Sequence, residues 1–207
     1  MAQQERAVRT REAVLTAAGM AFAESGFLGT SMADIFARAG VTKGALYFHF
    51  ASKEELANAV IAGEEEAASQ IVKDVLSTDA PPLQKAIDIT FRWAMEIQSN
   101  PIARAGVRLI IEQGTYTEPM REPYLQWADI MVDLLGSAQE RGELERTVDV
   151  KAMAEFVVSA FTGAQIVSQV ISAHEDLVRR IQVMWQLLLK GMLPPSSPLV
   201  FFPRIPR

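Results

Sequence analysis

The chain contains no cysteine. That excludes disulfides, zinc–thiolate centres and cysteine nucleophiles, and it suits a reducing cytoplasm, the expected compartment. Only two histidines are present, His49 and His174, far apart in the sequence. No Gly-x-Ser-x-Gly, phosphate loop or His-Glu-x-x-His pattern occurs, so the expectation is no enzyme, no metal and no cofactor. Glu64-Glu65-Glu66 reads as a solvated helix face rather than a metal site. The first residues, Met1-Ala-Gln-Gln-Glu-Arg, hold no apolar run of signal-peptide length. No stretch of about 18 uncharged apolar residues stands out, so no membrane-spanning helix is expected. Strand-type alternation, internal repeats and low-complexity tracts are missing as well.

What is present is helical. The chain has 207 residues, 49% of them hydrophobic, enough for one large domain or two small ones with a real core. Apolar residues recur at helical spacing, and the reading is an all-α protein of about nine helices. The first spans 11–24, with Val14, Leu15, Ala18 and Phe22 on one face and Ser25-Gly26 as its stop. A second begins at Ser31 and stops at Gly40. Thr42 caps a short third helix. Ser52 and Glu55 form a capping box for a long helix reaching about Val75. Pro81-Pro82 interrupts, and further helices are expected over 82–98, 101–112, 120–141, 150–171 and 174–192. Asp149 is an N-cap, and Ser172 with Glu175 is a second capping-box pattern. The tail from Pro194 holds five prolines and reads as extended or mobile.

The net charge is −5, yet residues 1–53 hold six basic side chains (Arg6, Arg9, Arg11, Arg38, Lys43, Lys53) against four acidic ones (Glu5, Glu12, Glu24, Asp34). The asymmetry suggests a small anion-binding head on an acidic body. Within the head, Gly29 to Phe50 has the pattern of a helix-turn-helix. Ala33 and Ala37 are small where two helices approach. Gly40 takes the left-handed conformation that ends a helix. Val41 anchors the turn, and Thr42 caps the next helix. Lys43 and Gly44 then stand where a recognition helix meets base edges. Lys43 can donate to guanine O6 or N7, and Gly44 lets the helix press close. Tyr47 and His49 suit phosphates or sugars. Ser31, Thr42 and Ser52 each begin a helix N-terminus, which attracts phosphate, and Lys53 adds charge to one of them. Arg6, Arg9 and Arg11 precede the first helix and suit the backbone or minor groove. The spacing fits equally a three-helix subdomain with no role on DNA. Leu46 and Phe50 read as core, and His49 is as much a surface histidine as a contact.

The run Ala-Gly-Val-Thr-Lys-Gly-Ala-Leu-Tyr-Phe-His-Phe-Ala-Ser-Lys-Glu-Glu-Leu, within Gly29–Leu56, closely resembles the DNA-binding signature of TetR-family repressors. The resemblance implies three DNA-binding helices followed by a helical ligand-binding and dimerisation domain. It places DNA contacts on Thr42, Lys43, Gly44, Tyr47, His49 and Lys53. A narrower resemblance is to the γ-butyrolactone receptors of antibiotic-producing actinomycetes. It lies in the same run, in Arg104-Ala-Gly-Val-Arg-Leu, in Trp127 and in Met184-Trp185…Gly191-Met192. That group implies a homodimer on a palindromic double-stranded operator. A small, mostly apolar signalling molecule (a γ-butyrolactone or related butenolide or furan) controlling secondary metabolism would release it, with Trp127 lining the pocket. A TetR-type sensor of xenobiotics or drugs is the alternative. On this reading residues 1–54 are the DNA-binding domain, 55–193 the ligand-binding and dimerisation domain, and 194–207 a Pro-rich tail.

The body is less legible. Tyr124, Trp127, Met131, Leu134 and Leu135 form an apolar stripe that serves core packing or a pocket equally well. Thr162 and Gln165 sit on adjacent turns of a very apolar helix, where they orient a ligand or serve a dimer interface. Phe91 and Met95 are looser pocket candidates. In the last two helices Val157, Val158, Phe161, Ile166, Val170, Val183, Met184, Trp185, Leu187 and Leu188 exceed what one buried face uses. Two such helices from each subunit would bury them in a four-helix bundle.

Overall fold

The computed structural model describes residues 2–113 and 121–194. The expected helix start at Met120 and the Pro-rich tail beyond Pro194 fall outside these residues. Among the described residues the elements are nine α-helices: α1 (Ala2–Gly29), α2 (Met32–Ala39), α3 (Lys43–His49), α4 (Lys53–Leu76), α5 (Pro82–Ser99), α6 (Pro101–Gln113), α7 (Glu122–Glu140), α8 (Val150–Ser172) and α9 (Leu177–Met192).

Two helix starts and one helix stop differ from expectation. Helix α1 begins nine residues before Arg11, because nothing from Ala2 to Thr10 breaks a helix and Gln, Glu, Arg and Ala all favour one. Arg6 and Arg9 are therefore on the helix rather than ahead of it. The same helix does not stop at Gly26 but kinks there (φ 70°, ψ −177°) and resumes to Gly29. Helix α9 starts at Leu177, and Ser172 is the last residue of α8 rather than a cap box for α9. The Ser172 hydroxyl instead donates to Asp176, as does that of Ser168. These bonds and Arg180 hold the Asp176 carboxyl far below the usual carboxylate range, the Arg180 hydrogen bond being the largest cause.

Packing divides the chain into two compact units. The first unit takes residues up to Ser69 and the stretch from Ser99 that contains α6. Its core is Val14, Ala18 and Phe22 from α1, Ile35 from α2, Leu46 and Phe50 around α3, and Leu56 and Val60 from α4. Ala33 and Ala37, expected at a close helix approach, are exposed, and Ile35 is the buried residue of α2.

Glu64 corrects another expectation. Glu65 and Glu66 are solvated, but Glu64 is only 4% exposed. Burial first, and the neighbouring Glu65 charge second, push its carboxyl up to about 7 from an ordinary 4.5. Folding therefore favours the protonated form. The stabilising contribution is whole below pH 4.5 and is lost as pH rises through 7. Glu64→Gln should raise the unfolding midpoint at pH 8 and leave it unchanged near pH 4, by up to on the order of 3 kcal/mol. Urea melts at the two pH values check this. Equal shifts at both would sink the assignment.

The second unit contains the end of α4 with α5, α7, α8 and α9. Glu143, buried in the α7–α8 connection, accepts the Leu83 N–H at the start of α5 (3.0 Å). This carboxylate satisfies one of the free amides of that helix end. The buried Trp185 indole donates to Thr90 Oγ1 (2.7 Å) and pins α9 to α5. Met131, Leu134 and Leu135 of α7 are core, as are Ala154, Val157 and Phe161 of α8. Asp149 caps α8 by accepting the Ala152 N–H (3.0 Å).

Helix α8 bears on the membrane expectation by length and composition alone: it is long and apolar enough to cross a bilayer. Its buried residues occupy one face, while Phe156, Ile166, Val167, Val170 and Ile171 are exposed.

Candidate DNA interface and effector site

Gly40 closes α2 in the left-handed region (φ 66°), with its N–H on Ala37 O and the Val41 N–H on Phe36 O. This Schellman-type end reverses the chain within two residues. Thr42 then caps α3, its hydroxyl accepting the Ala45 N–H (3.2 Å). Leu46 and Phe50 anchor α3 to the core. The rest of the short helix faces outward.

The sequence-predicted contact residues separate into two groups. Thr42, Lys43, Gly44 and Tyr47 are exposed together on α3 or at its cap. Lys43 Nζ lies 5.8 Å from the Tyr47 ring centre. A Cβ added to Gly44 would meet nothing within 4 Å, so packing within this chain does not require glycine there. Half-buried His49 meets Phe48 edge-on at 5.1 Å. Phe48 itself is 81% exposed, one turn from Gly44 on the same outward face. The sequence reading left Phe48 out of the contact set; its mark was an aromatic residue out of phase with the buried pair Leu46 and Phe50.

Ser31 and Lys53 form the other group, and both are already engaged. Ser31 and Asp34 make a reciprocal capping box, with the Ser31 N–H on the Asp34 carboxylate (3.0 Å). The two bonds from Ser31 hold that carboxyl below its usual range. Lys53 turns inward: its ammonium donates to Phe27 O (2.8 Å) and Thr30 O (3.0 Å), above the Phe27 ring. Arg38 is likewise committed, bound through both terminal nitrogens to Glu24 (2.7 and 2.6 Å). Of α2, α3 and α4, only α3 has no carboxylate in its first turn. Among these three helices, α3 is thus the one that presents an exposed lysine with no carboxylate in its first turn.

In the second unit, Trp127 is half-buried and its ring lies 6.2 Å from that of buried Trp93, tilted by 33°. Trp93 was missed in sequence because it follows Phe91 by two residues, off the face that Phe91 and Met95 share. Phe91 is fully buried and Met95 half-buried. The Thr162 hydroxyl donates back to Val158 O (2.9 Å). Gln165 is different. Its side chain is 4% exposed, and its Nε2 is buried without any acceptor. A buried amide left unpaired costs about 1–3 kcal/mol, so such an atom marks a place where something else supplies the acceptor.

A short helix, a left-handed glycine turn and an exposed two-turn helix carrying lysine, beside a separate all-helical unit, define a helix-turn-helix DNA-binding regulator. Residues 14–60 match the family model of bacterial regulatory proteins, tetR family, and residues 81–194 match that of the tetracyclin repressor-like C-terminal domain. The chain belongs to the TetR family. It is 37% identical to the A-factor receptor protein of Streptomyces griseus over 196 residues, 95% of this chain and 68% of that one. Its fold is similar to CprB, a TetR-family protein of S. coelicolor A3(2) (TM-score 0.84, 31% identity, 93% of each chain). CprB has also been solved with its biological operator sequence. A γ-butyrolactone receptor described as ArpA-like is a third likeness (TM-score 0.81, 32% identity, 92% of each chain).

Proposed function

We propose that the protein is a cytoplasmic repressor that binds a palindromic operator as a homodimer and is released by a small, mostly apolar signalling molecule of the γ-butyrolactone class. Similarity to the A-factor receptor over 95% of the chain supports both halves of that reading. The observation that carries the effector half is the buried, unpartnered Nε2 of Gln165. A lactone offers the missing acceptor, a carbonyl oxygen, on an otherwise apolar body. Trp127, Trp93 and Met95 supply apolar surface, and Phe91 backs it from the core. On DNA, Lys43 reads a base edge, Gly44 admits the groove, and Tyr47, His49 and Thr42 position the helix. Ser31 and Lys53 hold the head's own structure. Effector release follows only from unequal affinity for the two states of the dimer.

Operator release measured with γ-butyrolactones of graded side-chain length, against a panel of aromatic cations, tests the class. Release by the cations and not by the lactones would replace this reading with a drug sensor. Gln165→Leu adds a sharper test, because its two effects have opposite signs. Removing the orphan amide should stabilise the folded protein by about 1 kcal/mol, while the effector loses about 1–3 kcal/mol of affinity. Thermal melts and a lactone titration check it. A variant that binds lactone as well as the parent would exclude Gln165 from the site.

A further inference from the structure

The run Arg104-Ala-Gly-Val-Arg-Leu on α6 serves neither the DNA contacts nor the effector site, and its surroundings give it another use. Helix α1 breaks at Gly26. At such a break the chain before it is left with unpaired carbonyls and the chain after it with unpaired amides, and the two ends carry opposite partial charge. Two side chains of α6, one turn apart, match these ends. Arg108 Nη1 donates to Ala23 O (2.9 Å) on the first side of the break. Glu112 Oε2 accepts the Phe27 N–H (2.8 Å) on the second. Arg108 Nε and Glu112 Oε1 close the arrangement at 2.6 Å, both side chains being part-buried. The cation meets the carbonyl end and the carboxylate meets the amide end. A Cβ on Gly26 would run into the Glu112 carboxylate and the Arg108 guanidinium.

The same α6 run is pressed onto α4. A Cβ on Gly106 would overlap the Glu64 side chain. The segment after the break is short and fully tied. Thr30 Oγ1 donates to Gly26 O (2.8 Å), Lys53 holds Phe27 O and Thr30 O, and Ser31 immediately begins α2. The direction in which α1 delivers the chain into the helix-turn-helix is thus set by two charged side chains of α6.

We propose that Arg108 and Glu112 are positioning residues for operator recognition: by clamping the two ends of the α1 break they place α2, and through it the recognition helix α3. This rests on the operator-binding reading above. The probe is the duplex that the unaltered protein selects from a randomised library, with a shuffled duplex of the same composition as control. Arg108→Ala, and the reversal Arg108→Glu with Glu112→Arg, should each weaken binding to the selected duplex about tenfold or more. Binding to the shuffled duplex and the far-UV circular dichroism should stay unchanged. The reversal keeps an ion pair but sets each charge against the wrong helix end, so a role as a simple ion pair predicts rescue and the clamp predicts none. Gly26→Ala should behave like the reversal.

Binding of the folded reversal within about twofold of the parent overturns the proposal, as does equal loss on both duplexes. Should the reversal not fold, Arg108→Lys is read instead. Lys retains the charge but has one nitrogen where Arg108 uses two, Nη1 on Ala23 O and Nε on Glu112, and parent-like binding there overturns the proposal too. If the unaltered protein selects no duplex at all, the operator-binding reading itself fails, which is distinct from variants that equal the parent.

Discussion

Val170→Asp combined with Leu187→Asp should leave a folded chain that sediments as a monomer and binds the operator no better than random DNA. In the single chain the two side chains are 81% and 63% exposed, so the charges cost the fold itself little. They lie on the outward faces of α8 and α9, where apolar residues remain uncovered. In the proposed four-helix dimer interface each chain buries both. Each Val or Leu taken out of water contributes about 1.5–3 kcal/mol. Four per dimer therefore represent roughly 6 kcal/mol or more, a factor above about 10⁴ in the dissociation constant. Unpaired carboxylates in that interface add to the loss. A lone two-turn recognition helix then leaves only the non-specific level of about 10⁻⁴–10⁻⁶ M. Analytical ultracentrifugation with operator titration provides the check. A double variant that stays dimeric would move the interface elsewhere.

Lys43→Ala should lower operator affinity by about 1–3 kcal/mol, about fivefold to 150-fold, if the ammonium reads a guanine edge. Folded stability should not fall, because Lys43 is exposed and its ammonium lies 5.8 Å from the centre of the Tyr47 ring. Anisotropy titrations on the operator and on a shuffled duplex, across a salt series, decide its role. Base reading predicts loss on the operator alone. A phosphate contact predicts equal loss on both and a salt slope shallower by about one. No loss on either would remove Lys43 from the interface.

The head was legible because its signals are local. Gly40, Thr42 and the phase of Leu46 and Phe50 all fall within residues 40–50, and the structure has them in those roles. Local signals say nothing of distant partners. Lys53 looks in sequence like a phosphate donor at a helix start, but carbonyls more than twenty residues away claim it. Glu64 looks like one of three solvated glutamates, yet the bare Gly106 of α6 makes room to bury it. Trp93 carried no mark of its own until Trp127 was placed beside it.

By itself, then, the sequence determined an all-helical chain with a helix-turn-helix whose exposed face carries Thr42, Lys43, Gly44 and Tyr47. Periodicity, caps and a left-handed glycine depend on neighbours within a turn or two. The tertiary structure alone decided which polar groups are spent and which are left over. Arg38 is spent on Glu24, Lys53 on the end of α1, and Arg108 with Glu112 on its break. Gln165 is left with a buried amide that no residue answers. Whether a polar atom has a partner depends on what is packed against it from elsewhere in the chain, and that is a property of the fold rather than of any local pattern.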